Sequence, residues 1–237
     1  MKSYIDELDR NIFNFVEYEG YDDRYPSLSM QAFSSDFYDE IRHASRRLFQ
    51  IFCKAAKVFQ MAPDDFARNM DMPDNLIPYL HKSNALGLPT WLSRFDFVLD
   101  VNGNLQMVEL NADTPCFLIE SYYANEVAAN YVGRKHPNIE CRNELHTFLK
   151  RMYDAVLSAK YGRNQYESMR VNRESLPKNP FVFSCFHDYF EDYGTTQFLM
   201  RELKTACPEA DTRFISFYDM KIDDEGIPLE DGSHATL

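Results

Sequence analysis

Two short runs of the chain combine an arginine, two acids and an amide in a pattern that suits metal and phosphate binding. The first is Arg94-Phe95-Asp96, and the second is Glu109-Leu110-Asn111. Carboxylate and amide oxygens are the ligands that Mg²⁺ prefers, and its remaining positions usually go to waters or substrate phosphates. The arginine fork matches phosphate oxygens. Together these side chains predict half of a phosphoryl-transfer site.

A β-hairpin is the element that would bring the two runs together. Residues 94–99 alternate polar and apolar as a half-buried strand does, and residues 105–110 form the return strand. Between them, Asn102-Gly103 predicts a two-residue type I′ turn. That loop pairs Asp96 with Glu109 and Arg94 with Asn111, so all four side chains share a face. Because opposed carboxylates repel each other unless a cation intervenes, the hairpin is a candidate metal site. A solvated polar face with an Arg–carboxylate pair is the alternative that spacing alone leaves open.

Composition narrows the class of protein. The net charge of −12 argues against non-specific nucleic-acid binding, which depends on neutralising phosphates. The sequence has neither a GxGxxG nor a GxxxxGK[ST] motif, and no apolar run reaches the length of a membrane helix. Five scattered cysteines favour reduced thiols. We therefore expect a cytoplasmic protein that binds neither nucleic acid nor membrane.

Helices dominate the N-terminal part of the chain. Helical spacing of Ile5, Leu8, Ile12, Phe15 and Val16 predicts a helix over residues 1–19. A long amphipathic helix follows over residues 35–60, with Ser35 as its N-cap. The helical stripe predicted for its buried face comprises Phe37, Ile41, Ala44, Leu48, Ile51, Phe52, Ala55 and Phe59.

The C-terminal part has a different pattern. An apolar strand from residue 181, a helix over 190–206 and a strand over 212–218 predict a parallel βαβ unit. The expected organisation is a region 1–160 that includes the hairpin (about 91–111), a linker or exposed loop over 161–180, and an α/β portion over 181–237. The fold class is α/β (α+β).

The two runs also carry a family resemblance. Arg94-Phe95-Asp96 followed by the segment E-L-N-A-D-T-P of residues 109–115 resembles the signature of glutathionylspermidine synthase-like proteins, which are ATP-grasp acid–amine ligases. The later chain is similar as well, at Glu191-Asp192, Thr195-Thr196, Asp219, Gly226 and Asp231-Gly232. The resemblance covers roughly residues 90–237. It implies an antiparallel hairpin of an ATP-grasp-type sheet and a Rossmann-like preATP-grasp portion over 181–237.

The resemblance implies that ATP phosphorylates a carboxylate and that an amine then attacks the acyl phosphate. Asp96, Glu109 and Asn111 would hold Mg²⁺, and Arg94 would steady the transferring phosphoryl group. Asp113 and Thr114 would lie near the acyl substrate. The implied substrates are ATP, a glutathione-like acid and a polyamine-like amine.

The chain also departs from the family pattern. No segment matches the family's ATP-binding lysines, so the sequence predicts an N-terminal piece, truncated at its C-terminus, that binds ATP weakly and does not turn over alone. Two alternatives stay open: a non-catalytic polyamine- or nucleotide-binding module, and a metal-dependent phosphohydrolase. The absence of any HExxH or HxH spacing disfavours the hydrolase.

Overall fold

A computed structural model describes residues 3–17, 25–84, 90–171 and 180–235. They form a mixed α/β structure with two small sheets, which confirms the predicted fold class. The chain divides into two compact units: Met30–Pro115, and Met1–Ser29 together with Cys116–Leu237. The division predicted at residues 161–180 falls inside the second of these.

The unit Met30–Pro115 carries the predicted hairpin. Its elements are α1 (Ser35–Gln60), α2 (Asp64–Asn69), α3 (Ile77–Ser83), β1 (Arg94–Leu99) and β2 (Leu105–Asn111). Helix α1 has the predicted bounds, but its N-cap is Ser34, whose hydroxyl accepts a hydrogen bond from Phe37 N–H at 3.1 Å.

The predicted apolar face of α1 is only partly covered. Phe52 and Phe59 are half-buried, whereas Ile51 is 58% exposed and Ala55 is also exposed. The Phe52 ring lies 6.0 Å from the ring of Phe95 on β1, centre to centre, so the helix and the hairpin share aromatic contacts.

The other unit contains the predicted βαβ arrangement. Its elements are a 3₁₀-helix (Tyr4–Glu7), a π-helix (Ile119–Ala124), α4 (Asn125–Tyr131), α5 (Ile139–Tyr161), α6 (Arg163–Val171), β3 (Pro180–Cys185), α7 (Phe190–Ala206) and β4 (Asp211–Ser216). Strands β3 and β4 pair in parallel, from Pro180 opposite Asp211 to Cys185 opposite Ser216. The strand–helix–strand prediction is therefore confirmed.

The N-terminal segment, the π-helix, α5 and α7 all contribute to the core of this unit. The largest fully buried apolar side chains are Phe13, Phe15, Val16, Ile119, Leu157, Phe198 and Leu203. Gly194 on α7 allows close approach, because a Cβ atom there would lie 2.6 Å from Asn14 Oδ1 and 3.1 Å from Phe15 Cε1. Close packing thus joins the N-terminal segment to α7.

A buried ion network links α5 to α7. Glu202 on α7 is only 1% exposed, and its carboxylate accepts hydrogen bonds from Arg142 at 3.0 and 3.2 Å. His146 Nε2 lies 2.6 Å from the same carboxylate, and Arg142 also reaches Glu126 at 2.9 Å. Burial raises the pKa of Glu202, but the hydrogen bonds from Arg142 and His146 outweigh it and hold the pKa below its usual value. The carboxylate is therefore charged and fully paired.

The helix predicted over residues 1–19 is wrong. Among its described residues, 3–17, only Tyr4–Glu7 is helical, and that piece is a single 3₁₀ turn; residues 1–2 and 18–19 of the predicted helix lie outside the described residues. The Asp9 side chain accepts hydrogen bonds from both the backbone N–H and the Nδ2 of Asn11, at 2.9 Å each. Such local bonds compete with helix continuation. Of the apolar residues in the segment, Leu8, Phe15 and Val16 are buried in an irregular chain instead, and Ile5 and Ile12 are partly buried.

The segment predicted as a linker also differs in its first half. Residues Arg163–Val171 form α6, on which Tyr166 is buried and donates a hydrogen bond from its hydroxyl to Asp154 at 2.6 Å. One buried tyrosine holds the helix against α5 although most of its other residues are polar. Residues 172–179 of the predicted linker lie outside the described residues.

In the described parts of the chain, none of the helices has both the length and the apolar character needed to span a bilayer.

Candidate functional site

The turn of the hairpin differs from the predicted type I′ turn. Leu99 pairs with Leu105, and Asp100 N–H donates to Asn104 O at 2.9 Å, so the loop has three residues, 101–103. Gly103 has a φ of +83°, whereas Asn102 is not among the described residues with positive φ. A three-residue loop with glycine in the left-handed position is a common hairpin connection.

Asp100 explains why this loop forms. Its Oδ1 accepts hydrogen bonds from the N–H groups of Asn102 and Asn104, at 2.8 Å each, and Oδ2 accepts one from the Asn104 side chain at 2.9 Å. An aspartate at the first turn position bonds the backbone two residues ahead and stabilises a type I turn. The hydrogen bonds, led by that from the Asn104 side chain, lower the pKa of Asp100.

A β-bulge restores the predicted pairing beyond the turn. Phe97 pairs with Met107 but Asp96 pairs with Glu109, which leaves Val108 as the extra residue of β2. The additional loop residue and the bulge shift the register by one residue in opposite directions. As a result Asp96 lies opposite Glu109, and Arg94 lies opposite Asn111, as the sequence predicts.

Arg94 and Asp96, both on β1, form a bidentate ion pair. Arg94 Nε lies 2.7 Å from Asp96 Oδ1, and its terminal nitrogen lies 2.9 Å from Oδ2. Both side chains are about one-third exposed, at 35% and 36%. The hydrogen bond from Arg94 lowers the pKa of Asp96. Asp96 is therefore a carboxylate at neutral pH, next to a cation and accessible to solvent.

Asn111 is bound to the loop that follows it. Its Oδ1 accepts hydrogen bonds from Asp113 N–H at 3.3 Å and Thr114 N–H at 3.1 Å. The exposed side chains of Asp113 and Thr114 are thus held beside the end of β2. Thr90, which sequence reasoning missed, contributes a second tether: its hydroxyl lies 2.7 Å from Leu92 O and 3.3 Å from Ala112 O. A single threonine before a strand carries no sequence signal for this role.

The oxygen-bearing side chains of Asp96, Glu109 and Asn111 suit a hard cation that keeps several water ligands. Within residues 3–17, 25–84, 90–171 and 180–235, no group of three or more His, Cys, Asp or Glu side chains is arranged to hold a metal. The hairpin offers two opposed carboxylates, Asp96 and Glu109, and the amide of Asn111. Mg²⁺ usually takes one or two protein carboxylates and fills the rest of its shell with water and phosphate oxygens. These residues therefore suit Mg²⁺, which keeps water and phosphate ligands, better than a metal ion that is held by protein side chains alone.

A concave region lies at the carboxyl ends of β3 and β4, in the unit that does not contain the hairpin. This cleft has a volume of about 990 Å³ and includes His187, whose Nδ1 lies 2.8 Å from the Ser216 hydroxyl. Arg213 in its wall pairs with Asp211 and Asp231, each at 2.8 Å. The cleft contains none of the side chains predicted as site residues.

The family comparison agrees with the hairpin motifs. Residues 4–235 match the family model described as glutathionylspermidine synthase preATP-grasp, and the chain belongs to this family. The match covers nearly the whole chain, including the N-terminal 90 residues that carry little of the sequence resemblance. The family is one of ATP-dependent ligases, which act on small-molecule substrates and generally require ATP and Mg²⁺. No curated protein matches the chain.

Proposed function

We propose that this protein functions in the ATP-dependent ligation of a carboxylate to an amine, which forms an amide through an acyl phosphate. The observation that carries the proposal is the hairpin register, which sets Arg94 opposite Asn111 and Asp96 opposite Glu109. Family membership supplies the reaction class. The proposed acid is glutathione-like and the proposed amine is polyamine-like, with ATP as co-substrate.

Each side chain of the face has a proposed role. Asp96, Glu109 and Asn111 would hold Mg²⁺, which would supply positive charge to neutralise the phosphates. Arg94 would bind the transferring phosphoryl group, because its planar fork pairs with two oxygens at once. Since Arg94 already contacts both Asp96 oxygens, it would have to share that carboxylate with the metal ion.

The loop after β2 would contact the acid substrate. Asp113 and Thr114 are exposed and sit directly beyond the proposed metal ligands, so an acyl group bound there would lie close to the phosphates. We place the protein in the cytoplasm, a proposal supported by free cysteines at positions 53, 116, 141, 185 and 207.

Calorimetric titration with Mg-ATP tests the proposal without requiring turnover. We expect weak nucleotide binding that disappears when Mg²⁺ is chelated, because the carboxylate pair contacts phosphates only through the cation. Asp96→Asn and Glu109→Gln should each weaken Mg-ATP binding at least tenfold. Mass spectrometry of a mixture with glutathione and spermidine measures any amide formed.

The matched control is Asp100→Asn at the turn of the same hairpin. It removes one negative charge and retains a side-chain acceptor for the turn, so Mg-ATP binding should stay unchanged. Equal loss of binding in Asp100→Asn and Glu109→Gln would show a general charge effect and contradict the metal assignment. Binding of spermidine without any affinity for nucleotide would instead favour a non-catalytic module.

A further inference from the structure

We propose that Asn111 couples occupation of the carboxylate pair to the loop at Asp113 and Thr114. The inference rests on the proposed function and concerns one atom, Asn111 Oδ1. That oxygen accepts hydrogen bonds from two successive backbone N–H groups, at 3.3 and 3.1 Å. Asn111 is also the third side chain, after Asp96 and Glu109, that the hairpin can offer to a cation as an oxygen ligand.

Accepting the hydrogen bonds of the loop and ligating a cation compete for Asn111 Oδ1. An amide oxygen has two lone pairs, and the loop N–H groups use both. Ligation of a cation requires one lone pair, and a positive charge next to the oxygen also repels the N–H dipoles.

The rest of the loop's anchoring does not depend on Asn111. The Thr90 hydroxyl reaches Ala112 O, which precedes the two N–H groups in question. Loss of the Asn111 contacts therefore frees the N–H groups of Asp113 and Thr114, while the weaker contact of Thr90 with Ala112 O at 3.3 Å does not involve them. Two free adjacent N–H groups suit an anionic ligand such as the carboxylate of the acid substrate. Asn111 is thus a positioning residue that makes the acid subsite available once the cation is bound.

The hairpin contains its own matched control. At the other end, Asp100 Oδ1 accepts hydrogen bonds from the N–H groups of Asn102 and Asn104, a contact of the same kind with no proposed metal nearby. The rates of amide proton exchange at Asn102 and Asn104 should therefore not change when Mg²⁺ is added. Exchange at Asp113 and Thr114 should respond to it.

Amide proton exchange measured by NMR, with and without saturating Mg²⁺, tests the coupling. In the wild-type chain, Mg²⁺ should speed exchange at Asp113 and Thr114 by about fivefold, the factor expected when one ordinary hydrogen bond is lost. Asn111→Ala should exchange at the faster rate already without Mg²⁺ and should not respond to it. Asn111→Asp, which keeps the acceptor oxygens, should retain slow exchange until Mg²⁺ is added.

Two results would overturn the coupling, and they differ in what else they overturn. If Mg²⁺ shifts the resonances of Asp96 and Glu109 while exchange at Asp113 and Thr114 is unchanged, the metal site stands and the coupling is wrong. If Mg²⁺ shifts none of these resonances, the proposed metal site is wrong and the coupling is wrong with it.

Discussion

Replacing Arg142 by methionine should destabilise the protein strongly, because it leaves Glu202 as a buried charge. Glu202 is 1% exposed, and Arg142 provides two of its three hydrogen bonds at 3.2 Å or less. Removing one member of a buried ion pair typically costs about 3–5 kcal/mol. His146 still contacts the carboxylate and Arg201 Nε lies 3.9 Å from it, so we expect a loss at the lower end of that range, about 3 kcal/mol, in the free energy of unfolding.

Urea unfolding followed by circular dichroism measures this loss. The control is Arg163→Met, which breaks the exposed pair of Arg163 and Glu167, whose side chains are 84% and 59% exposed. It should cost less than about 0.5 kcal/mol. Similar losses for both variants would refute the buried network. In a double-mutant cycle, Glu202→Gln should recover part of the loss caused by Arg142→Met, because the uncompensated charge is gone.

Three further predictions concern the same unit. Gly194→Ala should destabilise the protein by about 1–2 kcal/mol in thermal unfolding, although Gly→Ala in a helix normally stabilises. The new Cβ would lie 2.6 Å from Asn14 Oδ1 and also 3.1 and 3.2 Å from the buried side chains of Phe15 and Ile119. A stabilised variant would contradict the close packing. Burial holds the pKa of His136 below its ordinary value of 6.5. The contribution of neutral His136 to the free energy of unfolding should therefore be fully present above pH 6.5. It should be lost as the pH falls, because the unfolded chain takes up the proton at a higher pH than the folded protein does. His136→Gln should flatten the stability profile just below pH 6.5; an unchanged profile would exclude His136 as the titrating group. Burial raises the pKa of Cys207 to about 11, so its thiol should react with a disulfide reagent far more slowly than the half-buried Cys53, and equal rates would show that it is accessible.

The hairpin shows how far the sequence alone could go. Alternation predicts both strands, and the pairing of Asp96 with Glu109 is confirmed. The predicted turn type is wrong because Asp100 competes for the same backbone groups and favours a three-residue loop. The register nevertheless holds, since the bulge at Val108 compensates for the longer loop. Nothing in local propensity specifies a bulge there, so the agreement near the site depends on two features that the sequence did not reveal.

Long-range polar contacts were the least predictable part. The sequence analysis did not single out Glu202, which lies four residues after Phe198 and is buried on α7. The identity of its partner could not be predicted, because Arg142 lies 60 residues away on another helix. The N-terminal segment failed for the opposite reason. Its apolar spacing fits a helix, but side-chain bonds from Asp9 and burial against α7 favour an irregular path.

Electron paramagnetic resonance of Mn²⁺, used in place of Mg²⁺, tests the proposed metal site most directly. In the presence of ATP, the wild-type chain should bind one Mn²⁺ ion, and the double variant Asp96→Asn with Glu109→Gln should leave the ion–nucleotide complex free in solution. Asp100→Asn should bind like the wild type. Undiminished Mn²⁺ binding by the double variant would show that the opposed carboxylates of the hairpin are not the metal site.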